Sequence, residues 1–338
     1  MSASDAVWLE AFQRLDELER SAQVVQVLLA AERHGLLLEL AAGTSVAALA
    51  TRTALPLSRL EAVLVLLRAH GIAEERAGHW SLAPSWAALA RGESPVELRA
   101  LLGQGRVQRE QSGRCLDPDL EDYWGLTAED RLLVARGISF EPSSPAGQAM
   151  ARGNVERVPG AVEALEQGGR LLELGCGVAS RLSAVLLCFP RATAVGVELA
   201  EDLAVFGRER AEGLGLGHRL QVVVGDAGSY EPDGAFDLVG WSQFFFPEGA
   251  RRPALATARR ALRPGGWITM PVIWDGAPPE PGSAEDQRIA VERLALDLWH
   301  VPLRSVPEIV VELQDAGFVD VAVDEGPVVH LVRGRQPG

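Results

Sequence analysis

Lysine is missing from the chain, because every one of the 32 basic residues is arginine. That excludes a pyridoxal Schiff base, a P-loop lysine and a kinase-type lysine, each of which needs a side-chain amine. Cysteine is scarce: Cys115, Cys176 and Cys188 are the only three, with no CxxC spacing. Neither a disulfide framework nor a thiolate zinc site can be built from them, and a reducing cytoplasm is the expected location. No apolar run approaches ~18 residues, and the opening MSASDAVWLE has no basic and apolar regions of the signal-peptide type. Neither secretion nor membrane spanning is expected. Positive charge is outnumbered, giving a net charge of −14, so bulk attraction to nucleic acid or to an anionic membrane is also excluded. What is present is an ordinary soluble composition, 47% hydrophobic and 23% charged over 338 residues, enough for about two domains with their own cores.

From Val7 to about Leu40, apolar residues including Leu15, Leu18, Val25, Leu28, Leu29 and Leu36 recur three and four apart, which predicts amphipathic helices. Residues 44–50 read as a capped helix, 55–58 as a break, 59–69 as a second helix ended by Gly71, and 71–82 as two short strands around a turn. Helix, turn, helix, hairpin is the winged-helix order. The helix that would enter a DNA groove offers Arg59 and Arg68 but is mostly Leu and Val, which read no base edges. Such a face suits a core or a second subunit, so a homodimer is expected and nucleic acid is not. Across residues 103–169 the pattern loosens into a connector expected to cover the C-terminal domain. There Tyr123, Trp124, Phe140 and Met150 either line a pocket or simply pack. The predicted divisions are therefore 1–102, 103–168 and 169–338.

The informative stretch runs from Gly169 to Ser180, GRLLELGCGVAS: an apolar strand, a glycine turn at Gly175 and Gly177, then a helix. Glycines there let the backbone approach a ligand, and the helix start offers free N–H groups. Glu173 stands two residues before the first glycine, and Ala179 near where a dinucleotide fingerprint has its third. A second strand ends at Glu198, where a carboxylate can accept from both ribose hydroxyls. A third ends at Gly225-Asp226, where an acid could accept from an exocyclic adenine amine, and a fourth ends near Ser242. Four strand ends bearing polar groups define one edge of a parallel α/β sheet, and ligands bind there.

These residues resemble the class I S-adenosylmethionine-dependent methyltransferases. LLELGCGVA looks like their first motif, VGVE their ribose acid, GDA their adenine acid, ALRPGGW the turn before their fifth strand, and Leu313 to Phe318 the helix and turn before their final hairpin. The N-terminal block is similar to the dimerisation domain of the small-molecule O-methyltransferases of secondary metabolism. The resemblance implies a Rossmann-like sheet of seven strands, the last antiparallel, joined to a mainly helical winged-helix-like domain. It implies S-adenosylmethionine as cofactor and a small, largely apolar acceptor. Glu173 would lie near the cofactor's cationic end, and Leu199 and Ala227 would pack on its adenine. Binding by Gly175, Gly177, Glu198, Asp226 and Ser242 completes the expected cofactor set.

One departure matters. That family carries a general-base His followed by a Trp and an acid after the fourth strand, whereas this chain reads Trp241-Ser242-Gln243-Phe244-Phe245-Phe246-Pro247-Glu248. The remaining catalytic candidates are His300, near the end of a helix spanning about 285–300, Asp275, and Gln243 in the altered stretch. Asp297 and His300 share a helix face and could take a metal with Asp275, but the family's metal pattern is not legible and no metal is expected. The other five histidines read as structural, His330 in an edge strand. Phe244 to Phe246 and Trp274 could ring an acceptor or pack as core, and residues 277–282 read as an exposed loop. Oxygen is the leading target atom, with carbon and nitrogen close behind because the base is missing. The alternative is a relative that binds S-adenosylmethionine for other chemistry or for structural support. A nicotinamide enzyme is disfavoured by the absent third glycine and by the LRPGG turn.

Overall fold

The computed structural model describes residues 3–326 and 329–338, with side chains from Trp8 onward. Residues 1–2, where the segment read for a targeting signal begins, lie outside the described residues. The chain forms two compact units, Met1–Leu102 and Gly103–Gly338, so residues 103–168 belong to the same unit as the sheet that follows them.

The first unit comprises α1 (Ala3–Arg33), α2 (Leu36–Ala42), β1 (Thr44–Ser45), α3 (Val46–Thr53), α4 (Leu57–Ala69), β2 (Ala73–Arg76), β3 (His79–Leu82) and α5 (Pro84–Ala90). Ser45 caps α3 by accepting from Ala48 N at 3.3 Å. The three strands pair in the order β1-β3-β2. Leu60, Leu64 and Leu67 of α4 point into a core shared with Leu40, Leu49 and Trp80. The helix that would read DNA therefore uses its apolar face in its own unit, and its Arg68 pairs with Glu75 at 3.0 Å. The second half of α1 buries Val24, Leu28 and Ala31, but the first half leaves Trp8, Phe12, Leu15 and Leu18 exposed.

Helix α6 (Leu98–Ser112) leads into the second unit. There α7 (Ala128–Gly137), α8 (Pro145–Glu156) and α9 (Ala161–Glu166) precede β4 (Arg170–Leu174), α10 (Ser180–Cys188), β5 (Thr193–Glu198), α11 (Glu201–Gly213) and β6 (Leu220–Val224). Then come β7 (Phe236–Trp241), α12 (Glu248–Ala261), β8 (Leu262–Val272), α13 (Ala284–Leu298), α14 (Val306–Asp315), β9 (Val319–Asp324) and β10 (His330–Arg335). The seven strands lie in the order β6-β5-β4-β7-β8-β10-β9. Strands β4 to β8 run parallel, and β10 is antiparallel to both of its neighbours. This is the expected class I sheet. His330 is a correction: β10 sits between β8 and β9, so β9 is the edge.

Alternation along each strand divides the core in two. Leu172, Leu174, Val197, Val239 and Trp241 pack on one face with residues of α12 and α14. Leu171, Ala194 and Leu238 pack on the other with residues of α8 and α10. Strand order reverses between β4 and β7, and the crevice outside their carboxyl ends is where such sheets hold ligands.

Candidate cofactor and acceptor site

After β4 the backbone turns sharply, with positive φ at Gly175 (70°), Gly177 (53°) and Ala179 (54°). A Cβ on Gly175 would lie 2.7 Å from the Phe246 ring, whereas one on Gly177 would meet nothing within 4 Å. The first glycine is therefore required by packing, and the second leaves open space beside the backbone. Glu198, 7% exposed, holds this bend from the end of β5. One carboxylate oxygen accepts from Gly177 N at 2.7 Å and the other from Ala200 N at 3.0 Å. Burial pushes its pKa up, while the N–H groups of Ala200, Gly177 and Leu199 pull it down. Each oxygen retains a further lone pair, the capacity two ribose hydroxyls would use.

Glu173 is 5% exposed, and burial raises its pKa against the opposing pull of Arg181. One oxygen lies 3.4 Å from an Arg181 nitrogen. The other is buried and has no hydrogen-bond partner among the described residues. An unpartnered buried carboxylate oxygen beside an open glycine bend fits a cationic ligand end. At the end of β6, Asp226 is exposed, and its carboxylate accepts from Gly228 N at 2.8 Å. Leu199 is exposed and free to meet a base. Ala227, expected on the adenine, is instead buried in the core with Val195 and Val197. Ser242 N donates to Leu174 O at 3.1 Å, tying the end of β7 to β4.

Among the described residues no hydrogen bond links the three catalytic candidates to one another. Gln243, 1% exposed, donates to Pro271 O at 3.3 Å and accepts from Arg251 at 3.0 Å. Arg251, itself buried, forks onto Glu312 at 2.9 and 2.6 Å and lies over the Trp241 ring at 4.9 Å. Asp275 is exposed and accepts from Ala277 N at 2.8 Å, which stabilises a turn. Helix α13 ends at Leu298, short of the expected 300. His300 has φ 56° and is exposed, while Val301 N bonds back to Leu296 O at 2.9 Å. His300 thus occupies the left-handed terminating residue of the helix. Its neighbour Trp299 faces inward, donating to Gln111 at 2.9 Å. Among the described residues no group of three or more metal-ligating side chains occurs.

Trp299 stacks on Phe245 with centroids 5.5 Å apart, and Tyr123 meets both at 4.7 and 5.5 Å. The Tyr123 phenol is buried; desolvation, then the nearby negative Glu198, pushes its pKa far up, so it stays a hydrogen-bond donor. Of the other predicted lining residues, Trp124 edges onto Tyr123 at 5.3 Å, Phe140 packs against the sheet core, and Met150 is exposed. Sequence reasoning missed Arg181, Arg251 and Gln111, whose reach to Glu173, Gln243 and Trp299 leaves no local signature.

Residues 171–266 match the family described as a methyltransferase domain. Over 103 residues the chain is 39% identical to a ubiquinone/menaquinone biosynthesis C-methyltransferase, UbiE, of Dinoroseobacter shibae; the match spans 30% of this chain and 41% of that protein. The fold is similar to that of an O-methyltransferase family protein from Burkholderia thailandensis, with TM-score 0.71 and 17% identity over 97% of this chain and 98% of the other. It is also similar to human N-acetylserotonin methyltransferase solved with S-adenosylmethionine, with TM-score 0.74 and 17% identity over all of both chains. The mitomycin 7-O-methyltransferase MmcR aligns with TM-score 0.67 and 19% identity over 98% and 99%. The seven-stranded sheet therefore has the class I methyltransferase fold, and residues 171–266 within it match a methyltransferase domain. S-adenosylmethionine is bound in the human structure, and the residues around the bend fit that group.

Proposed function

We propose that this protein methylates a small, largely apolar acceptor, on oxygen first and on carbon or nitrogen next, as a cytoplasmic homodimer paired through the first half of α1. The observation that carries the methyl-transfer reading is the pair of buried acids around the glycine bend, Glu173 with one unpartnered oxygen and Glu198 on the Gly177 N–H. When bound, S-adenosylmethionine supplies an electrophilic methyl carbon on a sulfonium. Glu198 would hold the ribose, Glu173 the cationic end, Leu199 one face of the adenine and Asp226 its amine. The rings of Phe245, Tyr123 and Trp299 would exclude water from the acceptor side, which suits a displacement whose positive charge disperses. The O-methyltransferases that share the fold favour oxygen as target atom, and the C-methyltransferase relative keeps carbon in view.

Proton removal is left to the acceptor's own acidity. Gln243 cannot take a proton, Asp275 stabilises an exposed turn, and His300 ends a helix. A positioned base is worth roughly 10²- to 10⁴-fold. An acceptor hydroxyl about two to four pKa units more acidic than a simple phenol ionises by the same factor without one. The substrate class is therefore an acidic phenol or enol, such as a ring bearing a carbonyl. Pairing through α1 rests on Trp8, Phe12, Leu15 and Leu18, an exposed apolar stripe at helical spacing. The test is transfer of labelled methyl from S-adenosylmethionine to phenols of graded acidity, with the product atom read by mass spectrometry and NMR. Rates should climb with the ionised fraction of the acceptor. Rates independent of acidity, or label on carbon alone, would overturn oxygen transfer; tight cofactor binding with no transfer to any acceptor would favour other chemistry.

A further inference from the structure

The strand register aligns one row of residues across the middle of the sheet. Gly196 of β5, Glu173 of β4, Gly240 of β7 and Thr269 of β8 are successive neighbours. All four lie on the face that carries α10, and the two glycines leave room on either side of Glu173. Cys176 and Leu182 fill the side of Gly196, and Arg181, from the first turn of α10, fills that of Gly240. Its guanidinium crosses Gly240 so closely that a Cβ there would collide with it. It reaches Glu173 with one nitrogen at 3.4 Å and the Thr269 hydroxyl with another at 3.2 Å.

This is an incomplete ion pair. An arginine that serves only to neutralise a carboxylate usually forks onto both oxygens, as Arg251 does onto Glu312. Arg181 divides its donors between two partners and leaves the second Glu173 oxygen buried and unmatched. The ionisable groups facing Glu173 are Arg181 from α10, Glu198 from β5 and Cys176 from the glycine bend. Burial, then the two acids, pushes the Cys176 thiol well above its ordinary pKa, so it carries no charge. Two acids and one arginine leave a local excess of one negative charge, and a cation that also donates hydrogen bonds would complete it.

We infer that Arg181 is a positioning residue for the cofactor: gripping one oxygen of Glu173 across the gap at Gly240, it presents the other as an anionic acceptor for the ammonium of S-adenosylmethionine's amino-acid arm. The inference rests on the cofactor assignment above. It makes the glycine at 240 a requirement of ligand binding rather than of strand packing.

The test is calorimetric titration of the full chain with S-adenosylhomocysteine, which keeps the ammonium, between about pH 6 and pH 8. Wild type should bind with nearly constant affinity. Arg181→Met should bind roughly tenfold more weakly at the acid end and recover part of the loss as pH rises, because Glu173 then ionises without its partner. Arg181→Lys should restore the flat profile. Gly240→Ala should reproduce the sloping one by displacing the guanidinium with no charge removed, which covers the case in which Arg181→Met fails to fold. A purely structural arginine would lower the melting temperature and leave the pH profile of binding flat, and that result in Arg181→Met or Gly240→Ala would overturn the inference. Failure of wild type to bind would instead overturn the cofactor assignment.

Discussion

On the proposed reading Glu198 does two jobs with one carboxylate, and Glu198→Gln separates them. Its oxygens accept from Gly177 N at 2.7 Å and Ala200 N at 3.0 Å. An amide of the same shape offers one acceptor oxygen, and its NH₂ faces whichever N–H the oxygen does not meet. One buried backbone donor is then unpaired, which costs about 1–3 kcal/mol. At roughly 2–4 °C per kcal/mol for a domain of this size, a 2 kcal/mol loss lowers the melting temperature by ~4–8 °C. The second loss appears on binding, because ribose hydroxyls that would donate to a charged carboxylate meet a neutral amide. Hydrogen bonds to charged groups exceed neutral ones by about 1 kcal/mol each, so two of them weaken S-adenosylhomocysteine by roughly 10- to 50-fold. Calorimetric titration measures the second term and thermal melting the first. Affinity within about twofold of wild type, in a variant whose melting temperature has fallen, would show that Glu198 only braces the turn. The ribose role would then be refuted.

Burial raises the pKa of Glu173 above the ordinary 4.5 of a glutamate. In the window between 4.5 and that raised value the native state binds more protons than the unfolded chain, so the residue's contribution to stability falls as pH rises through it. The melting temperature of Glu173→Gln minus that of wild type should therefore climb across that window, and a difference that falls with rising pH would contradict the shift. Gly175→Ala and Gly177→Ala both suffer left-handed strain of ~1–2 kcal/mol. Only Gly175→Ala also collides with Phe246, so it should melt lower, while Gly177→Ala should lose chiefly cofactor affinity; equal melting points would refute the distinction. Phe12→Glu in the exposed stripe of α1 should shift sedimentation from dimer towards monomer without lowering cofactor affinity, and an unchanged sedimentation coefficient would remove α1 from the dimer interface.

The sheet was legible because each element carried its own punctuation. Strands β4, β5 and β7 read as apolar runs closed by Gly175, Glu198 and Ser242, and a parallel sheet buried on both faces requires such runs. Spacing from the glycine bend was enough to place a strand end at Glu198, where β5 does end, since the crossover between adjacent strands fixes how far along the chain the next strand end must fall. The misreadings have a common origin in geometry that periodicity does not encode. A helix ended two residues early turns Trp299 inward and His300 outward, because φ 56° at His300 breaks the pattern its neighbours follow. His330 lies in a strand whose composition suits an edge, but the order of β9 and β10 is set by where the hairpin inserts, not by either strand's composition. Arg181 and Gly240 lie 59 residues apart in sequence and meet only because β4 and β7 are register neighbours.

The missing base follows from the charges packed around the end of β7. Arg251 is 3% exposed and shares Glu312 with Arg304, whose Nε reaches that acid at 3.1 Å. A guanidinium held so deeply must keep its acceptors, and Gln243 is one of them at 3.0 Å. An imidazole in place of Gln243 could accept from Arg251 only while unprotonated. The adjacent positive charge would resist the imidazolium that general-base catalysis has to form. The glutamine suits its neighbours better: it accepts from the cation, donates to Pro271 O, and so fixes the short turn at Gln243–Phe245 that aims Phe245 at Trp299. An ordered apolar wall and a strong resident base are competing uses of the same residue. On the proposed reading Gln243 serves the wall, and the acidity needed for transfer comes from the acceptor.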